Sequence, residues 1–244
     1  MHLRGKTAII TGGAIRVGRV LTLALAEAGC NVLIHYGRSA KPAEATQADA
    51  EKFGVEAHIF RADLLDSEFA QTVIPAAVGR FGHVDILINS AAIFPEDDTF
   101  SGTDAALFDQ LMAVNLRAPF LLSQNFAAQI PAGGMGSIIN VIDARVRQVQ
   151  TDHFVYRLSK GALWTMTEML ARDLAPRITV NAVALGAILP PPEKNQAYLD
   201  RLAQEKVPLK RAGSPQIVAQ NVLHLLQQDF LTGVVIAIDG GQFL

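Results

Sequence analysis

The chain has 244 residues, 50% of them hydrophobic and 18% charged, with a formal net charge of −2. That balance excludes a disordered polymer, and with no long basic run it argues against nucleic acid or a membrane surface as the main partner. One cysteine, Cys30, leaves no intrachain disulfide to form and fits a reducing compartment.

Short apolar runs alternate with amphipathic stretches along the whole chain. The strand candidates are residues 7–11 (TAIIT), 31–36 (NVLIHY), 56–60 (EAHIF), 84–89 (VDILIN), 136–142 (GSIINVI), 178–184 (ITVNAVA) and 233–238 (GVVIAI). Several are apolar throughout, as strands covered by helices on both faces must be. Helical patterns fall at residues 19–27, 43–52, 68–80, 105–114, 118–128, 155–174 and 215–228. The alternation predicts an α/β fold, one Rossmann-type doubly wound parallel sheet of about seven strands. The one long irregular stretch, residues 185–195, contains Pro190-Pro191-Pro192 and reads as a surface connection or a lid. Cys30 closes an Ala-rich helix and reads as a small buried residue. The start, MHLRGK, leads directly into a strand, and no apolar run approaches the ~18 residues of a membrane span, so a cytoplasmic location is expected.

The first strand ends in Thr11-Gly12-Gly13-Ala14-Ile15-Arg16-Val17-Gly18, and a helix follows at once. Glycines in a strand–turn–helix context let backbone N–H groups approach a pyrophosphate, which the helix N-terminus stabilises. Arg16 adds a forked cation suited to phosphate. The second strand ends His35-Tyr36-Gly37-Arg38-Ser39, with no acidic residue between Asn31 and Pro42 to take a ribose 2′-hydroxyl. Arg38 and Ser39 instead suit a 2′-phosphate, so the cofactor expected is NADPH/NADP+ rather than NADH. His35 either lines the adenosine pocket or simply finishes the strand.

Tyr156-Arg157-Leu158-Ser159-Lys160 places Tyr156 and Lys160 at i and i+4, on one helix face. A nearby ammonium favours tyrosinate, so Lys160 is expected to bring the Tyr156 hydroxyl down toward the working pH range for proton exchange with a substrate. No histidine shows metal-ligand spacing, and no metal is expected.

The phosphate loop followed by Tyr-x-x-x-Lys resembles the short-chain dehydrogenases, over nearly the whole chain from Thr11 to Gly241. The resemblance implies that Asp63 meets the adenine amino group, that Leu64 is a backbone contact, and that Asn89, Ser90 and Ala91 close the fourth strand beside the cofactor. It also implies that Asn115 orders the site. Gly12, Arg16, Val17, His35, Tyr36, Arg38, Ser39, Gly186 and Ile188, with Tyr156 and Lys160, complete the cofactor contacts it implies. The family usually carries a Ser thirteen residues before the Tyr, where this chain has Asp143. A carboxylate there would repel a developing oxyanion but could accept N–H bonds from a nitrogen heterocycle or carry a proton. Asp143, Arg16 in its loop position, His35 to Ser39, and Phe94 five residues after Asn89 together resemble one branch, the pteridine reductases, which include bacterial dihydromonapterin reductases. That resemblance implies a reductase of dihydropterins, with Asp143, Tyr156 and Lys160 catalytic and Arg16, Phe94, Asp143 and Tyr156 binding the substrate. It further implies a homotetramer built on the helices at 118–128 and 155–174. The alternatives are a carbonyl reductase of oxoacyl thioesters, sugars or quinones, and a nucleotide-binding subunit without activity. Trp164 reads as core or interface packing; Arg145 and Arg147 read as solvated, with a place facing the pocket as the alternative for either; His153 receives no role.

Overall fold

The computed structural model describes the backbone of residues 1–244 and the side chains of all of them except residues 69–71. Seven strands form one parallel sheet in the order β3-β2-β1-β4-β5-β6-β7. They are β1 (Thr7–Ile10), β2 (Asn31–Tyr36), β3 (Ala57–Arg61), β4 (Ile86–Asn89), β5 (Gly136–Asp143), β6 (Ile178–Leu185) and β7 (Val235–Ile238). All seven expected strands are present, and every pairing is parallel.

Helices cover both faces because the central strands are apolar on both. One face packs Ile10, Ile34 and Ile88 against α1 (Arg16–Glu27), α2 (Ala40–Glu51) and α8 (Pro215–Gln227). The other packs Ile9, Leu33 and Leu87 against α3 (Phe69–Phe81), α5 (Ala118–Gln129) and α6 (Phe154–Asp173). Alternate residues of one strand thus serve opposite cores, as the two-residue period of a strand requires. Cys30 is buried, its thiol 3.2 Å from the Leu3 carbonyl, and burial pushes that thiol up to about 12, with Asp85 adding to the effect.

Three details depart from the sequence pattern. Helix α4 (Ala105–Met112) does not stop before α5; a π-turn at Ala113–Arg117 joins them into one rod. Helix α1 starts inside the glycine loop, at Arg16. A further helix, α7 (Gln196–Lys206), follows the proline-containing loop. No helix among the described residues is long and apolar enough to cross a membrane.

Candidate active site

Strand order reverses direction at β1, whose neighbours β2 and β4 are followed by chain on opposite sides, and ligands bind open α/β sheets in the crevice beyond such a point. The loop after β1 is shaped there for close approach. Gly12 adopts φ +64°, and a Cβ on it would meet Ala91 Cα at 3.1 Å. A Cβ on Gly18 would lie 2.1 Å from the Gly12 carbonyl oxygen, so only glycine fits. Thr11 Oγ1 accepts the N–H groups of Ser90 and Ala91 at 2.9 and 3.1 Å, which ties the loop to the end of β4. Helix α1 carries no side-chain cap and no acidic residue in its first turn, leaving its positive end open to an anion. A glycine cradle below an uncapped helix N-terminus fits the pyrophosphate of a dinucleotide.

His35 is engaged with the glycine loop. It is 2% exposed. Its Nδ1 accepts the Gly12 N–H at 3.2 Å, and its Nε2 lies 3.0 Å from the Ala62 carbonyl, which makes Nε2 the protonated nitrogen. The ring therefore holds the glycine loop, and burial pushes its pKa below the ordinary histidine value. Arg38 is exposed, Ser39 and Tyr36 are half-buried, and Asp63 is exposed, with its Oδ1 accepting the Leu65 N–H at 3.1 Å. Leu64 is buried and Val17 half-buried. Arg16, at φ +54°, donates through Nη2 to the Pro190 carbonyl at 2.7 Å, linking the phosphate loop to the loop after β6. In that second loop a Cβ on Gly186 would sit 2.6 Å from Asp239 Cβ, and the Ile188 side chain is packed into the core.

Asn89 is turned into the sheet, its amide donating to Asn140 Oδ1 at 2.8 Å, while Asn140 donates to Thr167 Oγ1 at 2.9 Å. Asn115 lies on the π-turn, a distortion that often marks functional sites. Its amide both accepts from Ile93 N and donates to the Ile93 carbonyl, and it donates to Ser159 Oγ at 3.2 Å. The asparagine so links the segment leading to Phe94 with α6.

Tyr156 and Lys160 lie on the inner face of α6, at 7% and 3% exposure. Sequence places Asp143 at the end of β5, and the structure brings it to them: the Tyr156 hydroxyl donates to Asp143 Oδ2 at 3.2 Å. The expected effect of Lys160 on Tyr156 is not found. Lys160 Nζ stands 6.0 Å from the tyrosine ring centroid and donates to the Val141 carbonyl at 2.9 Å. Burial, followed by the charge of Asp143, pushes Tyr156 well above its ordinary pKa, and Arg145 only partly opposes this. In the resting site Tyr156 is held neutral and donates to Asp143. Burial lowers Lys160 to about 8, against the pull of Asp143.

Arg145, for which the sequence left a pocket-facing role open beside a solvated one, is part of this centre. Its backbone N–H and Nε donate to the two oxygens of Asp143 at 2.8 and 3.1 Å, and its Nη1 reaches Asp152 at 3.3 Å. Arg157 continues the alternation, pairing with Asp152 at 2.6 Å. Arg147 is exposed, as expected. Trp164 is half-buried beside Leu163 and Ala182, with Nε1 donating to Glu168 at 2.9 Å.

Phe94 joins the centre with its ring centroid 4.8 Å from that of Tyr156, edge-on. His153 stacks on it at 4.3 Å, and the Arg145 guanidinium carbon lies 5.1 Å from its centroid. Asp98, at 0% exposure, holds the start of α6 by accepting the N–H groups of Val155 and Tyr156 at 2.9 and 2.7 Å. No sequence signal pointed to Asp98, and for Arg145 the only signal was its nearness to the catalytic segment. For His153 it was the position just before Tyr156.

The sequence family described as enoyl-(acyl carrier protein) reductase matches residues 13–242. The chain is 33% identical over 250 residues to the 3-oxoacyl-[acyl-carrier-protein] reductase FabG of Aquifex aeolicus, covering 100% of this chain and 99% of that protein. Among solved structures it is similar to FolM alternative dihydrofolate reductase 1 from Brucella canis, complexed with NADP. That likeness has a TM-score of 0.92 and 34% identity, over 100% of this chain and 96% of that one. A short-chain dehydrogenase/reductase from Serratia marcescens is similar at a TM-score of 0.91 and 32% identity, over 100% of both chains.

Proposed function

From the premise that this chain belongs to the short-chain dehydrogenase/reductase family of oxidoreductases, we propose that it is an NADPH-dependent reductase taking dihydropterins to tetrahydropterins. The observation that carries this reading is the Asp143 carboxylate at 3.2 Å from the Tyr156 hydroxyl, with the Phe94 ring set against that tyrosine. The Brucella relative, named a dihydrofolate reductase and bound to NADP, supports both the pterin and the cofactor.

Gly12, Arg16 and Val17 would hold the pyrophosphate, Tyr36, Arg38 and Ser39 the phosphorylated ribose, and Asp63 and Leu64 the adenine. Ser90, Ala91, Gly186, Ile188 and Lys160 would hold the nicotinamide half, with Asn89 and Asn115 setting the backbone around it. When bound, the nicotinamide supplies a hydride. The protein's own part is orientation and the proton. Phe94 offers a face to a flat heterocycle, and Tyr156, held neutral, gives its proton to the ring nitrogen that gains charge. Asp143 accepts from Tyr156 in the resting site, orients its hydroxyl, and can take an N–H bond from the heterocycle if Arg145 yields an oxygen.

Arg145 also favours a second reading. With Nε at 3.1 Å from Asp143, it offsets the charge that would repel a developing oxyanion. An oxoacyl thioester, the substrate class named for the Aquifex relative, is therefore the alternative. NADPH oxidation measured against dihydropterins, dihydrofolate and an acetoacetyl thioester tests the two. Turnover of dihydropterins is expected; if every dihydropterin is ignored and the thioester is reduced well, the pterin reading is wrong.

We also propose assembly into a homotetramer through α5 and α6. An open apolar groove of about 850 Å³ runs along this face, lined by Met112, Leu116, Phe120, Met166 and Met169. Such a contiguous apolar patch suits contact between copies of the chain.

A further inference from the structure

His153 stands immediately before α6 in a left-handed conformation, φ 47° and ψ 58°. That conformation is costly for a residue with a Cβ and persists only where its surroundings enforce it. Capping is not the reason. The His153 side chain makes no cap hydrogen bond, and the free N–H groups of the first turn are taken by Asp98, through its carboxylate to Val155 and Tyr156 and through its carbonyl to Phe154.

The left-handed turn directs the imidazole across to residues 94 and 95. Nδ1 lies 3.1 Å from the Pro95 carbonyl oxygen, and because a carbonyl only accepts, Nδ1 is the protonated nitrogen. The ring stacks on Phe94 with centroids 4.3 Å apart and planes 25° from parallel. Phe94 meets Tyr156 edge-on at 4.8 Å, and His153 itself is 6.5 Å from Tyr156. Three rings close a triangle, in which His153 is tied to backbone at Pro95 and to the helix that carries Tyr156. Phe94 has no such tie through its own side chain, which is hydrocarbon.

We propose that His153 is a positioning residue that fixes the Phe94 ring, over which the Arg145 guanidinium carbon also lies at 5.1 Å, against Tyr156 as the platform for substrate. The inference rests on Phe94 being that platform, and not on which substrate lies on it.

His153→Asn and His153→Gly test it, since both residues tolerate the left-handed backbone while removing the ring. For each variant the readouts are the Phe94 orientation in a crystal structure, NADPH affinity, melting temperature, and KM and kcat. Kinetics use whichever of a dihydropterin or an acetoacetyl thioester the wild type reduces, so the wild-type panel decides the pterin reading separately. The expected result is a displaced Phe94 ring and a KM raised about three- to ten-fold, the loss an aromatic stack of this kind carries. NADPH affinity should be unchanged and the melting temperature within about 3 °C of wild type. Phe94 remaining in place, or a KM unchanged in both variants, overturns the proposal. So does failure of both variants to fold, because His153 would then serve stability alone.

Discussion

Replacing Arg145 by alanine removes the Nε contact to Asp143 at 3.1 Å, the Nη1 contact to Asp152 at 3.3 Å and the cation beside Phe94. The Asp143 pair is partly buried, with side-chain exposures of 21% and 15%, whereas Asp152 is 51% exposed. A unit-charge pair at 4 Å and an effective dielectric of 20 sets a ceiling of about 4 kcal/mol. Solvent screening and recovered hydration reduce this, and the contact to Asp152 adds under ~1 kcal/mol. We expect a net loss of about 1–3 kcal/mol, most of it from leaving Asp143 unpaired beside a buried tyrosine. At 2–4 °C per kcal/mol for a chain of this size, the melting temperature falls by roughly 3–10 °C. The assay is a double-mutant cycle with Asp143→Asn, followed by thermal unfolding and by NADPH oxidation. Because Arg145 opposes the effect of Asp143 on Tyr156, kcat/KM should fall further for a carbonyl substrate than for a dihydropterin. The two substitutions should be coupled by about 1–2 kcal/mol; additivity within ~0.5 kcal/mol would refute the pairing as an energetic unit.

Arg38→Ala should weaken NADPH about ten- to a hundred-fold and leave NADH nearly unchanged, the loss expected of one charge-assisted phosphate contact worth ~1.5–3 kcal/mol; isothermal titration with both cofactors checks it, and equal losses would show that Arg38 does not read the phosphate. Lys160, lowered by burial to about 8, is charged below that pH and neutral above it, so kcat/KM should decline as pH rises through about 8. Lys160→Arg, whose guanidinium stays charged, should lose that limb even if its overall activity is lower. Light scattering at micromolar concentration should give four copies, with Met169→Glu on the open groove shifting the mass downward; a wild-type monomer would end the assembly proposal.

The strands were legible because each is a short apolar run closed by Gly, Asn or a charged residue, and the parallel order followed from their alternation with helices. Helix α7 was not legible: only Leu199 and Ala203 are buried along it, too few to print a helical period on a polar segment. Residues 105–129 read as two helices because Asn115 to Pro119 looks like a break, yet the π-turn carries the chain through. In the site, Tyr156 and Lys160 were visible because an i, i+4 pair is a local pattern, and Asp143 because its spacing to Tyr156 is fixed by the fold. Asp98 acts 58 residues away, at Tyr156, and His153 reaches 58 residues back to Pro95. Such contacts leave no trace in local sequence. His35 was ambiguous for the same reason, since its partner Gly12 lies across a strand pair.

Charge at the end of β5 decides how the exchange of Ser for Asp should be read. Asp143 alone would place an anion beside Tyr156, but Asp143, Arg145, Asp152 and Arg157 alternate in sign along a chain of contacts. These four charges cancel among themselves, and the carboxylate's field falls mainly on its nearest neighbour, the Tyr156 hydroxyl. Asp143→Ser removes that anion and leaves Arg145 with Asp152 as its carboxylate partner. The Arg145 cation, now paired with Asp152 alone, acts on Tyr156 without the opposing Asp143 carboxylate, which draws the tyrosine pKa downward and supplies a donor field to an oxyanion. Turnover of simple ketones should rise in this variant, while dihydropterin turnover should fall by about 10²–10⁴, the span for disabling an acid–base group, here the Tyr156 that Asp143 orients. Steady-state assays on both substrate classes at one NADPH concentration decide the matter. Ketone turnover unchanged from wild type would mean that the charge of Asp143 is not what selects the substrate, and the choice would then lie with the placement of the Phe94 platform.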